Sequence, residues 1–120
     1  MSKNKILLAL LMSMLFTNSF ADYISGQREY VSGNYESAIT EWTPVAEDGN
    51  ARAQYNLGWM HANGKGTAQD FKEAIEWYKK SAELGNVNAQ YNLANLYLRG
   101  QGAVQNDKLA FSWFIKAAEQ

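Results

Sequence analysis

The stretch Ala53-Gln54-Tyr55-Asn56-Leu57-Gly58-Trp59-Met60-His61-Ala62-Asn63-Gly64-Lys65-Gly66 returns, altered, as Ala89-Gln90-Tyr91-Asn92-Leu93-Ala94-Asn95-Leu96-Tyr97-Leu98-Arg99-Gly100-Gln101-Gly102. The shift is 36 residues. Over the whole period, residues 49–84 and 85–120 agree at 16 of 36 positions, where average residue usage would give roughly two or three. The second half of the period repeats Ala74, Trp77, Lys80, Ala82 and Glu83 as Ala110, Trp113, Lys116, Ala118 and Glu119. A period of this length points to stacked supersecondary units rather than to one irregular domain.

Each copy reads as two helices. Asn50 is placed to cap the first, and Gly64-Lys65-Gly66 ends it at about Ala62. Asp70, with Glu73 three residues on, forms a candidate capping box for the second helix. Phe71, Ala74, Ile75, Tyr78 and Ala82 then fall on one helical stripe. Lys79 and Lys80 sit near its end, where positive charge complements the helix dipole, and Gly85 is the expected left-handed stop. Upstream, Tyr35, Ala38, Ile39, Trp42, Val45 and Ala46 form a similar stripe, with Ala38-Ile39 one period before Ala74-Ile75. Residues 22–31 and the short Ser32-Gly33-Asn34 turn would complete a divergent first pair over 22–48. Pro44 lies inside that stripe, and a helix-interior proline costs about 3 kcal/mol, so the helix is expected to kink or end at Thr43.

The first 21 residues read as a cleavable export signal. Lys3 and Lys5 precede an apolar run over 6–16 interrupted only by Ser13, and Ser19-Phe20-Ala21 places small residues three and one before a cut ahead of Asp22. The run is shorter than the ~20 residues that span a bilayer, so no stable membrane span is expected after cleavage. Periplasmic or secreted location follows as the expectation. Removing Lys3 and Lys5 from the 11 basic residues leaves 9 against 12 acidic ones, a net charge of −3. That balance gives no basic stripe and argues against nucleic acid as a partner. Export would permit disulfides, yet there is no Cys, so packing alone must hold the fold. The missing Cys also rules out a lipid anchor at the cut.

These segments resemble the Sel-one-like repeat family, a branch of the tetratricopeptide-like helical repeats. The match runs from Ala53 to Gly66, through Gln69-Asp70-Phe71 and Ala74-Ile75-Glu76-Trp77-Tyr78-Lys79-Lys80-Ser81-Ala82-Glu83-Leu84-Gly85, and again over 87–120. His61 departs from the Tyr seen at Tyr97, Ala94 from the Gly at Gly58, and Asp107 from the aromatic at Phe71, which is expected to loosen the last helix. Residues 22–48 look closer to an ordinary tetratricopeptide unit. The resemblance implies an all-α superhelix of about six helices, 22–48, 49–84 and 85–120 each supplying a pair. It implies a protein or peptide partner and no catalysis.

The chemistry-bearing residues are few. His61 is the only histidine and is read as a polar stand-in for a core Tyr; with no Cys and no ligand cluster it marks no metal site. Gly64-Lys65-Gly66 lacks the spacing and the Ser/Thr of a phosphate loop, and its recurrence marks it as the repeat's turn. Trp77 and Trp113 recur beside Tyr78 and Phe114 and are read as core. No catalytic residue or cofactor is expected. By the resemblance, the side of each first helix away from Ala53, Leu57 and Met60 lines a concave groove. It carries Arg52, Tyr55, Trp59 and Asn63, then Asn88, Tyr91, Asn95 and Arg99, with Tyr23, Gln27 and Tyr30 from the divergent pair. Trp59 and Arg52 are the expected central contacts, since exposed aromatic and Arg side chains make binding hot spots. Two other readings follow from the same residues. Exported repeat proteins of a related kind are penicillin-binding or β-lactamase-like, but those carry a disulfide in each repeat. Self-association through the last helix, which no polar helix covers, is the other.

Overall fold

The computed structural model describes residues 2–120, and their side chains except at 13–19, so Ser13, Phe16 and Ser19 of the proposed leader lie outside the described side chains. Six helices follow one another among the described residues: α1 Lys3–Val31, α2 Tyr35–Glu47, α3 Ala51–Asn63, α4 Phe71–Glu83, α5 Val87–Arg99 and α6 Asp107–Ala118. Contacts run almost wholly between neighbours in the chain, which is the arrangement of a helical solenoid.

The ends of the helices are written locally. Asn50, Asp70, Asn86 and Asn106 each accept the backbone N–H three residues on, at 2.9–3.0 Å, which satisfies an amide that the helix itself leaves orphaned. Only the Asp70 half of its capping box forms. Asn86 N–H reaches back to the Ser81 carbonyl at 3.1 Å beside Gly85 at φ +91°, the left-handed stop the sequence predicts. Asn106 caps α6, so Asp107 begins a regular helix in place of the loosening expected of it.

Pro44 does not end its helix. It lies inside α2, which continues to Glu47. Pro44 is exposed, so the carbonyl it cannot serve faces water, while Val45 and Ala46 just beyond it are buried and hold the last turn against the core. Asp48 N–H closes that turn on the Pro44 carbonyl at 3.0 Å.

Two clusters form the core. In one, Ala38, Trp42, Val45 and Ala46 of α2 meet Ala53, Leu57 and Met60 of α3 and Trp77 of α4. In the other, Ala74, Ile75, Tyr78 and Ala82 of α4 meet Ala89, Leu93 and Leu96 of α5. Polar pins cross the same seams. Gln54 Nε2 donates to the Ala46 carbonyl at 3.0 Å, and Gln90 Nε2 to the Ala82 carbonyl at 3.1 Å. Gly58 lets α3 and α4 approach, for a Cβ there would sit 2.6 Å from the Tyr78 ring. Gly66 (φ +73°) and Gly102 (φ +78°) press their turns onto the backbone at the starts of α2 and α4, where any side chain would collide.

Residues 22–31 form the end of α1, whose remainder continues through the proposed leader. Ile6, Leu7, Leu8, Leu10, Leu11 and Met12 are all exposed. Among the described residues no helix is long and apolar enough to cross a membrane.

Candidate groove on the first helices

Two hollows flank Trp59. One, of about 260 Å³, is lined by Gln27 and Tyr30 of α1, Trp42 of α2, and Tyr55, Asn56 and Trp59 of α3. The other, of about 280 Å³, is lined by Trp59, Ala62 and Asn63 of α3, Phe71 and Tyr78 of α4, and Asn92, Asn95, Leu96 and Arg99 of α5, with Gln101. Trp59 is shared by both. It is half-buried rather than exposed, because it packs on both core clusters and meets Tyr30 edge-on at 6.1 Å.

The other expected groove residues divide. Gln27, Tyr30, Tyr55, Asn63, Asn95 and Arg99 come together with Trp59 on the hollow walls. Arg52 and Asn88 sit exposed at the starts of α3 and α5 and line neither hollow. Tyr91 is exposed and packs edge-on against Phe114 of α6 at 5.5 Å. Tyr23 stacks on Trp42 at 6.0 Å, and its hydroxyl accepts Asn56 Nδ2 at 3.3 Å.

The walls combine apolar faces with amides held in place. Asn63 Nδ2 donates to the Trp59 carbonyl at 2.8 Å and Asn95 Nδ2 to the Tyr91 carbonyl at 3.1 Å. Asn92 Nδ2 donates to the Tyr78 hydroxyl at 3.4 Å. Burial holds that phenol well above its ordinary pKa, the Asn92 bond offsetting only part of the effect. It therefore stays neutral at any physiological pH and works as a fixed dipole. Asn56 and Asn92 are among the lining residues the sequence reading missed. Their recurrence at one repeat position, one helical turn before the groove positions Trp59 and Asn95, is the signal that marks them.

His61 is half-buried at the core Tyr position, and its carbonyl accepts Asp70 N–H at 2.8 Å as that of Tyr97 accepts Asn106 N–H at 2.9 Å. Trp77 is buried and Trp113 half-buried, as core residues. Lys80 is not merely solvated: its ammonium lies 4.6 Å from the Trp77 ring centre, and Lys116 repeats this on Trp113 at 4.6 Å. Among the described residues no three His, Cys, Asp or Glu side chains are grouped to hold a metal ion.

The family model of the Sel1 repeat matches residues 51–86 and again 87–120. The chain belongs to the Sel1 repeat family. Its fold is shared with a Sel1 repeat protein from Oxalobacter formigenes, at 35% identity and a TM-score of 0.76, over 81% of this chain and 40% of that one. It is shared too with c5321, a protective antigen present in uropathogenic Escherichia coli strains and displaying an SLR fold, at 32% identity and a TM-score of 0.80, over 85% of this chain and 23% of that one. The chain thus spans less than half the length of either solved relative. No curated protein matched it. Sel1 repeats generally mediate protein–protein interaction, and α1 with α2 stacks in the same manner although the Sel1 match begins at residue 51.

Proposed function

We propose that this Sel1 repeat chain is an exported, non-catalytic interaction module that holds a peptide or a segment of a protein in the groove of its first helices. One observation carries the reading: two hollows of comparable size meet at the half-buried Trp59, with Arg99 and fixed amides on one side and Tyr30 and Tyr55 on the other. Side-chain anchors of a bound segment would seat in the hollows, while Asn and Arg would bond its backbone or acidic groups. Export is supported by the basic start, the apolar run and the small residues before Asp22. It is supported as well by apolar side chains at 6–12 that stay exposed. The place of action would be the periplasm or the outside of the cell.

Crosslinking in the cell envelope tests the groove. Arg99→Glu and Trp59→Ala are each expected to cut capture of the wild-type partner at least about tenfold, the loss of a hot-spot contact, with Arg52→Ala near wild type. Undiminished capture by folded Arg99→Glu and Trp59→Ala proteins would remove the groove from consideration.

A further inference from the structure

The two regular copies agree at one groove position and differ at the next two along the same helix. Asn56 and Asn92 occupy one repeat position, each lines one of the hollows beside Trp59, and each commits its Nδ2 to a tyrosine hydroxyl. One helical turn on, Trp59 answers to Asn95; a further turn on, Asn63 answers to Arg99. What the copies share belongs to the repeat itself. Where they part, inside the hollows, the side chains are free to select what the groove holds.

The hollows differ in chemistry as a result. Four of the six residues lining the one between α1 and α3 are aromatic, Tyr30, Trp42, Tyr55 and Trp59, and none is charged. The one between α3 and α5 has rings as well, but adds four amides and the only formal charge on either hollow, Arg99. No carboxylate lines either of them, and the Arg99 side chain has no hydrogen-bond or ion-pair partner among the described residues. In a chain of net charge −1, an unpaired cation on the groove reverses the local sign. The lining residues run only from Gln27 to Gln101, so neither hollow depends on what precedes or follows them. A guanidinium suits a carboxylate, which it can grip with two N–H groups. A phosphate, carrying nearly two charges, is ordinarily met by a cluster of cations, and only one is present.

The spacing between the two anchors follows from the stack. The aromatic hollow lies between α1 and α3, and Arg99 stands on α5, the next first helix, which touches α3. Neighbouring helices pack about 8–10 Å apart, so the two anchors are about 10–15 Å apart, roughly three to five residues of extended chain. Resting on the groove reading above, we propose that the occupant is an acidic peptide segment with two anchors. A bulky apolar side chain fills the hollow of Tyr30, Trp42, Tyr55 and Trp59, and an Asp or Glu roughly three to five residues away pairs with Arg99. Trp59 stands between the anchors and packs against both parts of the segment.

Phage display of random peptides about twelve residues long, ~40 Å when extended, on the purified chain supplies the probes, and calorimetric titration of synthetic copies measures them. Selected peptides are expected to carry a bulky apolar residue and an acid at the stated spacing. Replacing that acid by its amide is expected to weaken binding to the wild type about tenfold, yet to change binding to Arg99→Gln by less than about twofold. Arg99→Glu should reject the acidic peptide and accept one with Lys in its place to within about threefold of the original pair. Gln27→Phe fills the aromatic hollow and is expected to weaken binding at least about tenfold. Gln27 makes no side-chain hydrogen bond among the described residues and lies outside both core clusters, so circular dichroism should be unchanged. No enrichment of any peptide, selected peptides without the acid, or an acid whose loss costs Arg99→Gln as much as the wild type would each overturn the proposal. If Gln27→Phe still weakens such peptides, the groove stands and only its acidic preference falls. Binding indifferent to both Gln27→Phe and Trp59→Ala would remove the groove, and the proposal with it.

Discussion

Gln54 and Gln90 occupy one repeat position, are equally buried, and donate alike to the carbonyl of the preceding helix. They differ in the other half of the amide. Gln90 Oε1 accepts Gln120 Nε2 at 2.9 Å, whereas Gln54 Oε1 is buried with no partner. The residue in the place of Gln120 one period earlier is Leu84, which is 57% exposed and so contributes little to the core. Leu84→Gln is therefore expected to supply the missing donor and to stabilise the fold by about 1 kcal/mol, the net worth of a hydrogen bond to a buried acceptor. Denaturant unfolding checks it, and a companion Gln120→Leu should lose a similar amount. Both glutamines were visible in the sequence as a recurring Ala-Gln-Tyr-Asn-Leu. Their burial and the orphaned oxygen were not, since the first depends on the preceding pair and the second on the residue that the end of the same pair brings alongside.

Helix α2 shows where local rules yield to packing. Taken alone, Pro44 predicts a break at Thr43, because it removes an amide and crowds the carbonyl four residues back. The helix nonetheless runs through it, since stopping there would pull Val45 and Ala46 out of the seam with α3. The cost falls on the solvent side and is tolerated rather than removed. Pro44→Ala is expected to raise stability by about 1–2 kcal/mol, the helix penalty less the entropy that Ala returns to the unfolded chain. A rise in the thermal midpoint is the check, and an unchanged or lower midpoint would mean that the proline helps set the helix exit. The caps Asn50 and Asp70 and the stops at Gly64 and Gly85 followed from sequence alone, because Asn and Asp caps and glycine stops act within four residues of themselves. Lys80 is the intermediate case: its position at a helix end was legible, its seat over Trp77 was not.

Across the molecule, each helix is held mainly by its neighbours in sequence, as expected of a one-dimensional stack. Helices α3 and α4 are packed from both sides, while Phe111 and Ile115 of α6 are exposed. Amide hydrogen exchange should follow that order. Protection is expected to peak in α3 and α4 and to be lower in α6. Equal protection in all helices would mean that the array unfolds only as a single unit.

The sequence by itself determined the repeat, the helix pairs of its two regular copies, their caps and turns, and membership of the Sel1 family, because all of these rest on residues within one period of each other. It also named seven of the fifteen residues that line the hollows beside Trp59, among them Tyr55, Trp59, Asn63, Asn95 and Arg99, which share a face at helical spacing. Only the tertiary structure decided that Arg52 and Asn88 stand outside the hollows and that Trp59 is shared between them. Only it showed that Phe111 is exposed where its counterpart Ile75 is buried. Spacing fixes which side of a helix a residue occupies, but how far along that side the next pair reaches depends on turn length and on the large side chains that set the stacking.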